Sequence, residues 1–202
     1  MMLPKGNAVQ LRLRAVSHAS HVRINHHPLL AGLAGRDYPL STYRTVLVAY
    51  YHLYQQIELR IEQFIRKGNI PFDYSARLKL PWLVDDLKFF NENPQARLPV
   101  PPLEFPEITS IGQLVGVLYP VEGSTLGGQV ISRQLLEMYG LTLGARFFNG
   151  YGKDTQKNWQ QFCQFAEAIQ SDESQCQAAE AAALLTFNTF EGVLNAYHRA
   201  GC

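Results

Sequence analysis

Histidine is the residue type in this chain that most directly suggests metal chemistry. Four of the six histidines, His18, His21, His26 and His27, lie within ten residues near the N-terminus. A zinc or iron site held by several side chains needs carboxylates or thiolates to converge with imidazole, and Asp37 is the only acid nearby. The cluster therefore disfavours such a site. A single imidazole facing an apolar pocket is a different case, because haem iron needs only one axial ligand from a protein. His21 is so placed that it could face the core, and the alternative is an ordinary surface or buried histidine.

The second feature that could support chemistry is a run of proline and glycine inside a helical pattern. Apolar residues recur at helical spacing over residues 111–135, yet Pro120, Gly123, Gly127 and Gly128 interrupt the pattern. Pro120 removes a backbone hydrogen bond and each glycine costs about 1 kcal/mol relative to alanine, so a kink is expected. The pattern fits a flat, bulky ligand lying directly on bare backbone, which only glycine permits. The alternative is close helix packing or a simple bend.

The rest of the chain supplies the helices that must position these residues. Hydrophobic periodicity predicts an all-α bundle of six or more helices, because no alternating pattern typical of a strand is found. The predicted helices span about 9–25, 41–67, 73–90, 110–139, 154–169 and 171–197. The predicted helix starts are, in chain order, Ser41 or Thr42, Asp73 or Ser75, Ser110, Asp154 and the acidic segment 171–173. Gly140 predicts a left-handed end of the fourth helix, and the five prolines of residues 94–106 predict an extended connector before it.

Length and composition exclude several classes of protein. The 202 residues, 47% hydrophobic and 17% charged, predict a single domain over residues 1–202. A net charge of +1 argues against binding to nucleic acid or to an anionic membrane. The three cysteines have neither disulfide nor metal-site spacing, and the chain lacks an apolar run long enough to span a membrane and a signal-peptide core. We therefore expect a cytoplasmic protein. Neither a hydrolase triad nor a nucleotide-binding glycine motif is present.

The glycine-rich stretch carries a resemblance to a known family. Residues 119–130, Tyr-Pro-Val-Glu-Gly-Ser-Thr-Leu-Gly-Gly-Gln-Val, resemble the distal-helix signature of haem oxygenases, in particular of the bacterial branch. Residues 21–25, His-Val-Arg-Ile-Asn, resemble the segment of the first helix that supplies the axial histidine in that family. The similarity extends through residues 43–59 and 159–194 and so covers most of the chain. It implies a multihelical haem oxygenase-like bundle with a kinked, glycine-rich distal helix.

The resemblance also implies which residues contact haem. His21 is the expected axial ligand, held neutral so that a ring nitrogen binds iron. Gly123 and Gly127 are expected to present bare backbone to the distal face, where dioxygen must be directed toward the porphyrin edge. Gly128 is expected to relieve the bend of the helix.

Four further positions complete the expected site. Tyr119 is expected to touch the macrocycle edge or a propionate, and Arg133 to pair with a propionate. Ser124 occupies the position where mammalian members carry an aspartate that organises water, as it does in bacterial relatives. Asn25 stands where the family usually has an acid four residues after the axial histidine.

The implied reaction is oxidative cleavage of haem. Haem, O2 and electrons give biliverdin, carbon monoxide and ferrous iron, with a ferredoxin or flavoprotein reductase as electron donor. Two alternatives are a non-catalytic haem- or bilin-binding protein of the same fold, and a helical scaffold without a cofactor in which the glycines only let helices approach.

Overall fold

The computed structural model describes residues 8–96 and 104–200, and within these ranges the chain forms helices and turns without a strand. The α-helices are, in chain order, α1 (Ala8–Asn25), α2 (Leu40–Gly68), α3 (Leu80–Phe89), α4 (Ile111–Tyr139), α5 (Arg146–Asn149), α6 (Thr155–Ala166) and α7 (Glu173–Arg199). The predicted all-α fold is confirmed. Most of the predicted connector, residues 97–103, lies outside the described residues, and Pro94–Ala96 form a 3₁₀ turn rather than an extended chain.

The glycine-rich helix α4 has the ends that the sequence predicts. The Ser110 hydroxyl accepts a hydrogen bond from the Gln113 backbone N–H at 3.2 Å. Gly140 adopts a left-handed conformation with φ of 64° and donates its N–H to the Leu136 carbonyl at 2.9 Å. The helix continues through Pro120 without interruption. The whole stretch 111–139 therefore acts as one wall of the fold.

Helix α7 is the element against which α1 and α4 both pack. The close approach of α4 depends on Gly112 and Gly116, because a Cβ at either position would lie closer than 3.0 Å to a backbone oxygen of α7. On the other side of α7, the Arg12 side chain forms ion pairs with Glu173 and Glu180. Both α1 and α4 thus pack against α7.

Helix α3 begins later than predicted and has a different cap. Asp73 accepts a hydrogen bond from the Ser75 backbone N–H within a local turn, so neither predicted residue caps the helix. The carboxylate of Glu58 on α2 instead accepts hydrogen bonds from the backbone N–H groups of Lys79 (2.6 Å) and Leu80 (3.0 Å). The prediction was wrong because this cap comes from a residue about twenty positions earlier in the chain, which local sequence does not reveal.

The last two long helices begin at the predicted positions. Asp172 caps α7 by accepting a hydrogen bond from the Gln175 backbone N–H at 3.1 Å. Asp154 precedes α6, but its side chain makes no capping bond there. The predicted helix 154–169 divides at Ala166, where a 3₁₀ turn over Glu167–Ile169 follows the α-helix.

Candidate functional site

A cavity of about 840 Å³ lies between α1 and α4. This volume falls in the range of sites that hold a bulky organic ligand. Its inner wall is aromatic, with contributions from α2, α5, α6 and α7: Tyr50, Tyr54, Phe147, Phe148, Trp159, Phe187 and Phe190. The segment after α1, through Leu30 and residues 32–35, closes another side. The cavity is therefore mostly apolar, with its polar groups confined to a few positions.

On the α4 wall, Gly123 and Gly127 present backbone without side chains to the cavity. A Cβ at Gly127 would meet no atom within 4 Å, and one at Gly123 would make only an ordinary contact of 3.6 Å with the Trp159 ring. Packing inside the protein therefore does not require glycine at either position. The two residues are one helical turn apart, so they share a face of α4.

Gly128 also borders the cavity, but its missing side chain has a different explanation. A Cβ there would lie closer than 3.0 Å to the backbone oxygen of Phe148. Gly128 thus lets the segment that contains α5 pack directly on α4. The two explanations for the glycines, ligand contact and close packing, apply to different members of the same motif.

On the α1 wall, His21 and His18 line the cavity. The His21 ring packs edge-on against Phe187, with ring centroids 6.2 Å apart, and its Nδ1 lies 3.4 Å from the Asn25 amide nitrogen. Partial burial, helped by the neighbouring His18, lowers the pKa of His21 below its ordinary value. The neutral ring is thereby favoured, and this is the form that carries a lone pair for a metal.

The other two histidines of the cluster do not line the cavity. His27 is buried, and its Nδ1 accepts a hydrogen bond from the Leu29 backbone N–H at 3.1 Å while its Nε2 lies 3.3 Å from the Asn195 side-chain oxygen. His26 bonds the Val22 carbonyl. Within residues 8–96 and 104–200, no three histidine, cysteine, aspartate or glutamate side chains are grouped as metal ligands.

The charged lining of the cavity is positive. Among the described residues that line it, Arg14 and Lys79 are cationic and none is an acid. Lys79 is only 1% exposed and its ammonium donates to the buried Glu122, so Arg14 is the charge that a ligand can reach. Arg14 lies seven residues before His21, so about two helical turns place both on the same face of α1. Sequence analysis missed Arg14, although this spacing was a usable signal. The arrangement suits a ligand with anionic groups near α1.

Tyr119 lies at the same side of the cavity as Arg14. Its ring centroid is 5.9 Å from that of Trp159, and burial raises its pKa, an effect that a hydrogen bond with Ser17 and the charge of Arg14 oppose. Arg133, by contrast, is exposed and does not line the cavity. Six residues separate it from Gly127, which rotates it by about 120° around α4. The structure therefore does not bring Arg133 to the site.

Two hydroxyl groups lie beside the bare backbone of α4. Ser124 donates its hydroxyl to the Val121 carbonyl at 3.0 Å, and the Tyr54 hydroxyl lies 3.5 Å from the same Ser124 oxygen. Burial raises the pKa of Tyr54 well above its ordinary value, so the phenol stays protonated. From the sequence alone, Tyr54 was interpreted only as part of the apolar stripe of α2.

A buried charged cluster lies directly behind this wall. The Glu122 carboxylate accepts hydrogen bonds from Lys79 Nζ (2.6 Å), Arg77 Nη1 (2.8 Å) and the Tyr151 hydroxyl (3.0 Å to each oxygen). Lys79 and Glu122 are each 1% exposed. Sequence analysis did not find this cluster, because its members are separated by up to 74 positions.

A family model described as "Heme oxygenase" matches residues 7–196. A search of curated proteins gave no match.

Within the described residues, no helix is both long and apolar enough to cross a membrane.

Solved structures of bacterial haem oxygenases share the fold. The haem oxygenase of Leptospira interrogans superposes with a TM-score of 0.74 at 17% identity, covering 93% of this chain and 98% of its own. The NO- and CO-bound enzyme of Neisseria meningitidis gives 0.73 at 19% identity, covering 94% and 92%. Haem oxygenase-2 of Synechocystis sp., solved with haem and NO, gives 0.75 at 15% identity, covering 96% and 86%.

The family match spans nearly the whole chain, and it includes both walls of the cavity. On this evidence the chain belongs to the haem oxygenase family.

Proposed function

We propose that this protein cleaves haem with O2 and reducing equivalents to biliverdin, carbon monoxide and ferrous iron. The observation that carries the proposal is one cavity, bordered by the His21 imidazole on α1 and by bare backbone on α4. Haem supplies the iron and is itself the macrocycle that is opened. The protein's own residues bind it, orient it and control access to it.

His21 is the proposed axial ligand. A neutral imidazole binds a metal through one ring nitrogen while the other keeps its proton and donates it to an acceptor. With the Asn25 amide rotated so that its oxygen faces His21 Nδ1, that oxygen would accept the proton and leave Nε2 for iron. Asn25 would then orient His21 as a neutral acceptor.

The α4 wall is proposed to direct dioxygen. Gly123 and Gly127 let a flat ring lie against the helix, and the large side chains that would block it are absent at these two positions. The hydroxyls of Ser124 and Tyr54 lie beside the same backbone. The Ser124 proton is directed to the Val121 carbonyl, and rotation of this hydroxyl toward the cavity would make it a donor to a ligand. Hydrogen-bond donors fixed in an apolar site are the usual means by which proteins stabilise developing negative charge.

Anionic groups of the substrate are proposed to lie near α1. Arg14 carries a positive charge at this side of the cavity, and Tyr119 adds a hydroxyl. An arginine guanidinium suits carboxylate recognition because it donates two parallel hydrogen bonds. Two propionates would therefore fix the in-plane orientation of the ring.

The electrons must come from outside the chain, because the side chains of the cavity are not a source of reducing equivalents. A ferredoxin or a flavoprotein reductase is the proposed donor. Haem and O2 complete the set of partners.

The experiment that tests the function is addition of hemin to the purified protein, followed by a reductant and O2. We expect a Soret band from the bound pigment and then its loss, with release of biliverdin. Absence of hemin binding would overturn the proposal. A stable complex that never yields biliverdin would instead indicate a non-catalytic haem-binding protein.

A further inference from the structure

Glu122 is the residue immediately before Gly123, and it points away from the cavity into a charged interior cluster. Its carboxylate accepts hydrogen bonds from three side chains, those of Lys79, Arg77 and Tyr151, at 2.6–3.0 Å. These donors come from segments outside α4: the turn Ser75–Arg77 and its continuation into α3, and the segment after α5. Glu122 is therefore the point where α4 is tied to two other parts of the fold.

Stability alone does not account for this cluster. Taking a carboxylate, an ammonium and a guanidinium out of water is costly, and well-packed apolar residues of similar volume are often as stable or more so. All three donors of the Lys79 ammonium are, however, used. Besides Glu122, Lys79 Nζ donates to the Arg77 carbonyl and to the Tyr151 hydroxyl at 2.8 Å each. What such a network fixes well is position.

The part of α4 next to Glu122 has a low intrinsic preference for helix. Pro120 cannot donate a backbone hydrogen bond, and Gly123 and Gly127 lower the intrinsic preference for helix. The same segment presents the bare backbone to the cavity. The hydrogen bonds from other segments to Glu122 compensate for this low helix preference. They do so where the position of the backbone matters most for a ligand.

Arg77 also connects Glu122 of α4 to α6. Its Nη1 also donates to the Asn158 carbonyl at 3.1 Å, and its Nη2 donates to the Gln161 side-chain oxygen at 2.8 Å. Both acceptors lie on α6, next to Trp159, whose ring borders the space at Gly123. The Arg77 guanidinium thus fixes the position of the glycine backbone of α4 relative to the Trp159 ring of α6.

We propose that Glu122, with Lys79 and Arg77, forms a set of positioning residues that sets the distance between the Gly123–Gly127 backbone and the face of the bound macrocycle. The inference rests on the proposed function. None of the three residues is assigned a proton-transfer or ligand role. Their effect on the reaction is exerted through the backbone that they hold.

The test compares wild type with three variants: Glu122→Gln, the charge-balanced Glu122→Gln/Lys79→Met pair, and Tyr151→Phe. Glu180→Gln is the matched control, because it removes a carboxylate from an interhelical ion pair with Arg12 that lies outside the cavity. The readouts are thermal unfolding without hemin, hemin affinity, the C–O stretching band of the reduced protein with carbon monoxide, and biliverdin turnover. The stretching band reports on the surroundings of the bound gas and is insensitive to global stability.

We expect the variants at the cluster to shift and broaden the C–O band and to lower turnover by up to about a hundredfold, since a misplacement of about 1 Å can have an effect of that size. Hemin affinity should change by less than about threefold, because His21 and Arg14 are untouched. The double variant should regain thermal stability relative to Glu122→Gln and keep the shifted band. Tyr151→Phe, the mildest change, should show the same shift in smaller measure.

A C–O band identical to wild type in Tyr151→Phe and in the double variant would overturn the positioning role, even if their stability falls. An equal shift in Glu180→Gln would overturn it as well. Failure of wild type to bind hemin would instead overturn the proposed function, so the two failures are distinguishable.

Discussion

The Tyr54 hydroxyl of α2 lies 3.5 Å from the Ser124 hydroxyl of α4, beside the bare backbone of Gly123. Tyr54 is fully buried and Ser124 is exposed to the cavity. The contact between their hydroxyls therefore links a core residue of α2 to the cavity surface of α4. Ser124 stands where an acid was expected in mammalian members of the family. The structure thus places two neutral hydroxyl groups beside this backbone, with the Ser124 proton directed to the Val121 carbonyl.

Removing either hydroxyl should affect turnover more than binding. Ser124→Ala and Tyr54→Phe each delete one donor beside the distal backbone, and loss of such a donor typically lowers a rate by about a hundredfold. Hemin affinity, measured by titration of the Soret band, should stay within about threefold, because the contacts to the ring face remain. Unchanged biliverdin turnover in both variants would show that these hydroxyls do not act in the reaction.

Gly127 and Gly128 should respond oppositely to the same substitution. Gly127→Ala has open space for its methyl group and should keep or raise the thermal stability of the apoprotein, since alanine favours helix by about 1 kcal/mol. It should weaken hemin binding, because the methyl group projects toward the ring. Gly128→Ala should destabilise the apoprotein by about 2 kcal/mol through its clash with the Phe148 oxygen. Equal thermal stabilities for the two variants would contradict this division of roles.

The charge at the α1 side of the cavity should dominate recognition of carboxylates. Arg14→Gln removes a charge that lines the cavity, whereas Arg133→Gln removes one that does not. A lost charge-assisted hydrogen bond corresponds to about 1.5–3 kcal/mol, so hemin affinity should fall by roughly tenfold or more in Arg14→Gln. A similar loss in Arg133→Gln, with Arg14→Gln unaffected, would restore Arg133 as the propionate partner.

His27 should make folding stability depend on pH. Burial and the charge of His198 lower the pKa of His27, although the hydrogen bond to Asn195 and the charge of Glu191 oppose this shift. Because the folded state binds the proton less readily than the unfolded state, this contribution is present above pH 6.5 and is lost as the pH falls through the lowered pKa. The protonated ring can no longer accept the Leu29 N–H, a loss of about 1 kcal/mol.

The measurement is urea unfolding of wild type and His27→Gln at several pH values. The difference in free energy of unfolding between the two proteins should be largest near neutral pH and should shrink toward pH 5. A difference that stays constant, or that grows as the pH falls, would exclude this origin.

Features set by neighbouring residues in the chain could be predicted from the sequence. The Ser110 cap, the start of the last helix at residues 171–173 and the left-handed end at Gly140 depend on contacts within four residues, and all three are confirmed. The glycine motif and His21 could be singled out because their residue types are unusual in a helix or suited to a metal.

Features that need a partner from elsewhere in the chain could not be predicted. The cap of α3 comes from Glu58, and the cluster around Glu122 joins three distant segments. Gly128 illustrates the same limit, because it was expected only to relieve the bend of the helix, whereas the structure shows that it lets the Phe148 backbone oxygen approach α4. Arg14 was the exception, since its seven-residue spacing from His21 was visible without a structure.

The central claim is that His21 binds haem iron from the α1 side of the cavity. The most direct test is the absorption spectrum of hemin bound to His21→Ala, recorded with and without added imidazole, beside His18→Ala as the matched control. We expect that His21→Ala alone loses the wild-type Soret band and that imidazole restores it, because the free base fills the space left by the side chain. A wild-type spectrum in His21→Ala, or loss of the band in His18→Ala instead, would contradict it.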